Sequence, residues 1–154
     1  MRLPWILATA DLIKVSDEDW VHLGWSGSDP IRGARELLQQ SKASLLVLTM
    51  GAAGAWILTS EFQYYARETD ELSIVDTVGA GDCFLAGFLA ALMKLTVHAV
   101  SVQERLSELS KSDLRSLLRH ALASASLCVQ QQGCVPPSWQ ETTEWSQKHS
   151  VVTE

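Results

Sequence analysis

The sequence has little that would staple it, anchor it or commit it to a charged partner. Only three cysteines occur among its 154 residues, Cys83, Cys128 and Cys134. They lie in or near apolar runs, and an odd count without metal-ligand spacing excludes a disulfide framework and reads as reduced thiols. No Lys/Arg run is present and the formal charge is −6, which argues against a nucleic-acid surface. The apolar run from Cys83 to Met93 is too short to span a bilayer. The start, Met1 to Ala8, is faintly signal-like, but Pro4 and the early Asp11 interrupt it, so it reads as part of the domain. These absences predict a cytoplasmic protein with no nucleic-acid and no membrane partner. Neither a Walker A ending nor a G-x-G-x-x-G is found, so the common P-loop and dinucleotide readings fail. No repeat or low-complexity segment divides the chain.

What is present is an apolar chain of one domain's length, 1–154, with 47% hydrophobic residues, enough to bury a sizeable core. Leu12–Val15 reads as a short strand, followed by the polar Ser16 to Asp19, which can cap a short helix containing Trp20, Val21 and Leu23. Gly24 to Pro30 reads as a loop, and Ile31 to Gln40 as a helix with Ala34, Leu37 and Leu38 on its apolar face. Leu45–Thr49 is a continuous apolar run, as in a parallel strand buried on both faces. Gly51 and Gly54 turn the chain into Ala55–Leu58, for which Phe62–Ala66 is the expected hairpin partner. Leu72–Val75 is expected to be a last short strand. A helix begins near Asp82, a polar linker runs from Ser101 to Lys111, and Ser112 or Asp113 is expected to cap a long amphipathic helix. That helix carries a stripe of Leu114, Leu117, Leu118, Ala121, Leu122, Ala125 and Cys128, and a short helix follows around Trp139 to Trp145. Alternating strands and helices predict an α/β fold with a mainly parallel sheet flanked by helices and a small β-hairpin.

The most informative stretch is Asp76-Thr77-Val78-Gly79-Ala80-Gly81-Asp82. A glycine-rich turn in front of an apolar helix exposes unpaired N–H groups to one point, which favours an anion such as phosphate. A carboxylate in the same place is not there to bind phosphate. It fits a base that deprotonates a hydroxyl beside a phosphate, with donors from Gly79, Ala80, Gly81 and Asp82 stabilising the charge in transit. The alternative is that Asp82 simply caps the helix.

With Phe84, Gly87 and Phe88, this stretch resembles the C-terminal signature of the ribokinase-like (PfkB) carbohydrate kinases. Leu12 to Trp20 is similar to the family's strand leading to an Asn-x-x-Glu element, and Leu46 to Ala55 to its Thr-x-Gly-x-x-Gly turn. The resemblance runs from about Asp11 to Pro137, and Ile13-Lys14-Val15-Ser16 is most like the fructokinase and 2-keto-3-deoxygluconate kinase branch. It implies an ATP-dependent sugar kinase with Asp82 as catalytic base and Gly79, Ala80 and Gly81 as anion hole. Thr49, Gly51, Gly54 and Thr77 would line the nucleotide site. Ser16 and Asp19 stand where Asn and Glu organise Mg²⁺ through water, with Asp19 one methylene shorter. Asp76 and the Val78 carbonyl would hold a monovalent cation, often K⁺, helped by the loop near Gly133. Asp19 reads equally as a first-turn helix carboxylate. Family members are longer, so the resemblance covers the nucleotide and base side, without the N-terminal sugar-binding half and lid. The expected partners are ATP, a small sugar, and either a second copy of this chain or a complementing N-terminal half. Two other readings stay open, a non-catalytic nucleotide-binding remnant or subunit of a split kinase, and an α/β interaction domain. His22, His98, His120 and His149 show no ligand spacing, and His120 is expected at the surface. Trp56 is expected to pack in the hairpin, and Glu104, Arg105 and Glu108 to form a solvated face.

Overall fold

A computed structural model describes residues 5, 7–22 and 29–153. Most of the signal-like start, and Leu23 with most of the Gly24–Pro30 loop, lie outside the described residues. Strand β1, Leu12–Ser16, alternates its side chains between two faces. Leu12 packs into one apolar cluster, while Ile13 and Val15 join another on the opposite side. Strand β2, Leu45–Thr49, pairs parallel to β1. Its Leu45 and Val47 enter the first cluster and Leu46 and Leu48 the second, so the continuous apolar run is indeed buried on both faces.

Beyond β2 the sheet departs from the mainly parallel expectation. Strands β3, Ala55–Leu58, and β4, Gln63–Glu68, form the hairpin, with β3 antiparallel to both β2 and β4. A fifth strand, β5, Val151–Thr153, runs antiparallel to β4. Sheet order is therefore β1-β2-β3-β4-β5, and among the described residues only the β1–β2 pair is parallel. The physical reason is connection length. The short turn at Gly51–Ala53 can join only antiparallel neighbours, whereas β1 and β2 are separated by a helical crossover.

Helices cover both faces. Helix α1, Asp17–His22, and α2, Pro30–Gln40, belong to the β1–β2 side, where Trp20, Ala34, Leu37 and Leu38 complete the second cluster. Asp29 caps α2, its Oδ1 accepting from the Ile31 and Arg32 N–H groups at 3.0 and 3.3 Å, and Pro30 opens the first turn. Helices α3, Ala80–Leu95, and α5, Lys111–Cys128, cover the other face. Phe84, Phe88, Ala91 and Leu92 of α3 meet Leu114, Leu117, Leu118, Ala121 and Leu122 of α5 there. Helix α6, Trp139–Lys148, packs behind α5.

Several expectations are corrected. Leu72–Val75 is not a strand. Val75 and Asp76 instead donate their N–H groups to the Val129 carbonyl at 2.8 and 3.2 Å, so this segment hangs from the end of α5 and not from the sheet. The polar linker contains a helix, α4, Val102–Ser107, capped by Ser101. Within the expected solvated face, Arg105 is half-buried and donates to Thr96 Oγ1 at 3.0 Å. The long helix is capped by Ser110, with Asp113 as the reciprocal partner of a capping box. His120 is buried, 8% exposed, and stacks on Trp139 at a ring separation of 4.2 Å. Its pKa is lowered by burial and by the charge of Lys94. Trp56 lies opposite Tyr65 in the hairpin, ring centroids 5.0 Å apart, as expected. Among the described residues no helix is long and apolar enough to cross a membrane.

Candidate active site

The parallel pair β1–β2 sets Ser16 and Thr49 side by side at its C-terminal edge, the edge at which open α/β sheets take ligands. Ser16 and Asp19 form a reciprocal capping box on α1. The Ser16 N–H donates to Asp19 Oδ2 at 2.9 Å, and the Asp19 N–H donates to Ser16 Oγ at 3.1 Å. The Ser16 backbone N–H and then the Ser16 side chain, acting on the carboxylate, hold the Asp19 carboxyl below its ordinary pKa, assisted by the charges of Lys14 and His22. Helix capping and ligand organisation are not exclusive here, because an ionised carboxylate has about four acceptor sites.

After Thr49 the chain makes a tight turn through Gly51–Ala53. Gly51 and Gly54 both have positive φ, 52° and 91°. A Cβ on Gly54 would lie 2.4 Å from the Ala66 carbonyl oxygen, so side chains are excluded by both conformation and space. Tyr65 secures this turn by donating its hydroxyl to the Ala53 carbonyl at 2.7 Å.

The glycine-rich turn is built around Asp76. Its Oδ1 accepts from the Val78 N–H at 3.0 Å and its Oδ2 from the Gly133 N–H at 2.9 Å. One carboxylate thus fixes the turn and ties it to the loop after α5. The Val78 and Gly133 bonds lower its pKa, in that order of importance. Gly79 then adopts φ 80°, the left-handed conformation, and α3 starts at Ala80. A Cβ on Gly79 would lie 2.2 Å from Cys134 Sγ, so this loop also packs directly on the turn.

The first turn of α3 contains Ala80, Gly81 and Asp82, whose N–H groups have no partner within the helix. The Ala80 N–H reaches the Thr77 carbonyl at 3.3 Å, and the Cys83 N–H closes the first helical bond to Gly79 at 2.8 Å. Gly81 and Asp82 are left as the exposed donors of the turn. The N-cap is Gly79, which offers no side-chain bond, and the Asp82 carboxylate makes no hydrogen bond among the described residues. The simple capping reading of Asp82 is therefore not realised.

A residue to which the sequence alone assigns no role completes this arrangement. Lys14 shares the face of β1 that carries Leu12 and Ser16, and its Nζ lies 3.6 Å from the position a Cβ would occupy on Gly81. Its charge also acts on Asp19. The ammonium thus stands between the Ser16–Asp19 element and the start of α3. Its signal in the sequence was a lysine alternating with Leu12 in a short apolar strand, which alone does not say what it faces. The structure also joins Cys83, Cys128 and Cys134, which in the sequence read as reduced thiols without metal-ligand spacing, with their sulfurs all within 4.8 Å of one another.

A three-layer α/β architecture with a glycine turn opening a helix at the sheet's ligand edge defines a ribokinase-like fold. Solved structures share it. The fructokinase of Xylella fastidiosa with bound ATP matches with a TM-score of 0.79 and 26% identity, over 96% of this chain and 45% of that one. A ribokinase from Giardia lamblia matches with a TM-score of 0.78 and 20% identity, over 94% of this chain and 45% of that one. The pfkB family carbohydrate kinase profile matches residues 2–141, and the chain belongs to that family. The relative named "Probable fructokinase-6, chloroplastic" from Arabidopsis thaliana is 35% identical over 133 residues, covering 85% of this chain and 32% of the relative. The chain thus spans about a third of the length of this curated relative.

Proposed function

We propose that this chain forms the nucleotide and proton-accepting side of a carbohydrate kinase that moves the γ-phosphoryl of ATP to a hydroxyl of a small sugar or sugar acid. The observation that carries the reading is the exposed Asp82 at the start of a 16-residue helix opened by left-handed Gly79, in a chain of the pfkB family. In this reading the N–H groups of Gly81 and Asp82, with the Lys14 ammonium, receive charge on the transferred phosphoryl oxygens. Asp82 accepts the proton of the attacking hydroxyl as the new P–O bond forms and ADP leaves. Thr49, Gly51, Gly54 and Thr77 line the nucleotide side. Residual acceptor capacity on Asp19 fits water-mediated organisation of Mg²⁺, and Asp76 with the Val78 carbonyl offers oxygen ligands to a monovalent cation such as K⁺. When bound, such cations neutralise phosphate charge.

Because the chain covers only 32% of the fructokinase relative, a second reading is favoured by a specific observation. Here the chain is a nucleotide-binding subunit or non-catalytic remnant that turns over only with an N-terminal half, or not at all. A phosphoryl-transfer assay with ATP and a panel of sugars decides between them, run on the chain alone and with a supplied N-terminal half. The proposal expects transfer in at least one arm, with Asp82→Asn lowering the rate by about 10²–10⁴-fold while ATP binding persists. ATP binding with no transfer in either arm supports the remnant. Near wild-type turnover of Asp82→Asn overturns the base assignment.

A further inference from the structure

We propose that Cys83, Cys128 and Cys134 form a binding site for one soft, thiophilic metal ion directly beneath the phosphate-facing turn. The three residues come from the first turn of α3, the last residue of α5 and the loop beyond it, yet their Sγ atoms lie within 4.8 Å of one another. A metal–thiolate bond of about 2.3 Å requires sulfurs about 4 Å apart. Closing the cluster around an ion therefore needs contraction of under about one ångström. Three sulfur ligands with no carboxylate or imidazole among them select a soft ion over Mg²⁺ or Ca²⁺. Cys83 and Cys128 are buried, 2% and 0% exposed, whereas Cys134 is exposed and gives an ion its way in.

The thiols already face one another and the turn's carbonyls. Cys128 Sγ lies 3.9 Å from the Val78 oxygen and Cys134 Sγ 4.0 Å from the Gly79 oxygen. Burial, followed by the neighbouring Cys128 and Cys134, pushes the Cys83 thiol up to about 12. Binding breaks three S–H bonds, forms three S–metal bonds and releases three protons to solvent, with no redox change. The second titratable cluster, Glu68, Asp70 and His149, offers oxygen and nitrogen instead. Its groups are already engaged, Glu68 Oε2 with the Trp145 indole N–H at 3.1 Å and Asp70 with His149.

The site is mechanically joined to the turn, because Cys134 packs on Gly79 and follows Gly133, whose N–H is held by Asp76. A bound ion would pin that loop to the start of α3. Metal binding itself does not depend on the kinase reading, so either can fail alone.

The test is titration of the reduced protein with Cd²⁺, followed by the thiolate-to-cadmium charge-transfer absorbance, which the Glu68–Asp70–His149 cluster cannot produce. Saturation at one ion per chain is expected. Cys134→Ser, at an exposed position, should weaken binding at least about 10–100-fold, the loss that even ligand-supporting residues cause. His149→Ala should leave the absorbance unchanged. In the unmutated protein Cd²⁺ should protect Cys134 from alkylation and slow amide exchange across Asp76 to Asp82. Absence of the charge-transfer band, or a band and alkylation rate indifferent to Cys134→Ser and to Cd²⁺ respectively, overturns the site.

Discussion

Lys14 illustrates how much a single position depends on its surroundings. On a five-residue strand its side chain is fixed by alternation to the face shared with Leu12, and the helix opposite begins at Ala80. An ammonium held near Gly81 is then a charge in search of an anion, with Asp19 supplying only a partial answer from α1. A charge-assisted hydrogen bond to phosphate contributes about 1.5–3 kcal/mol. Lys14→Met, which keeps the apolar stem, should therefore weaken ATP binding roughly tenfold or more, and Lys14→Arg should recover part of it. The salt dependence of binding should also flatten in Lys14→Met, since one screened charge is gone. Calorimetric titration of ATP checks this, and an unchanged Kd in Lys14→Met would remove the residue from the phosphate site.

At the scale of elements, the Asp76 clamp joins the turn before α3 to the loop after α5 through two backbone N–H groups. Its folded pKa is depressed below the ordinary 3.8. Stability from the clamp is thus fully present above that ordinary, unfolded value and is lost as pH falls through the lower folded value. Melting curves of the wild type and Asp76→Asn, taken between about pH 2 and 6, should differ at the upper end and converge at the lower. A gap that persists undiminished at the acid end would show that the carboxylate charge is not what holds the turn.

The same elements show what could be read in advance. The glycine-rich turn and its helix announced themselves, because Gly-Ala-Gly-Asp before an apolar run has few other physical uses. The doubly apolar β2, the hairpin and the amphipathic α5 were also legible through period and turn chemistry. Strand β5 was not, because Val151–Thr153 is too short to show a period and pairs with a strand more than eighty residues away. Buried His120 and the convergence of the cysteines were equally hidden, since both arise only when α3, α5 and their neighbours pack together. The antiparallel pairing of β3 with β2 was not legible either, because an apolar run alone does not distinguish a parallel from an antiparallel neighbour.

For the whole molecule, the sheet has two edges of unequal character. Strand β5 at one edge is three residues long, while β1 at the other has five and, among the described residues, pairs only with β2. An open edge of that length presents unpaired N–H and C=O groups to any strand that can reach it. Exposed apolar side chains add to this in the last turn of α3 and just beyond it, where Met93, Val97 and Val100 are 62%, 66% and 93% exposed. The chain alone is therefore expected to self-associate with rising concentration, as either edge pairing or apolar contact would require. Supplying an N-terminal half of the kind that its longer relatives carry should compete with that association by covering the β1 edge. Sedimentation across a concentration series, with and without that half, checks both statements. A monomer that stays monomeric at every concentration would show that Lys14 and the twist of a short edge already protect β1, and complementation would then have to come from another surface.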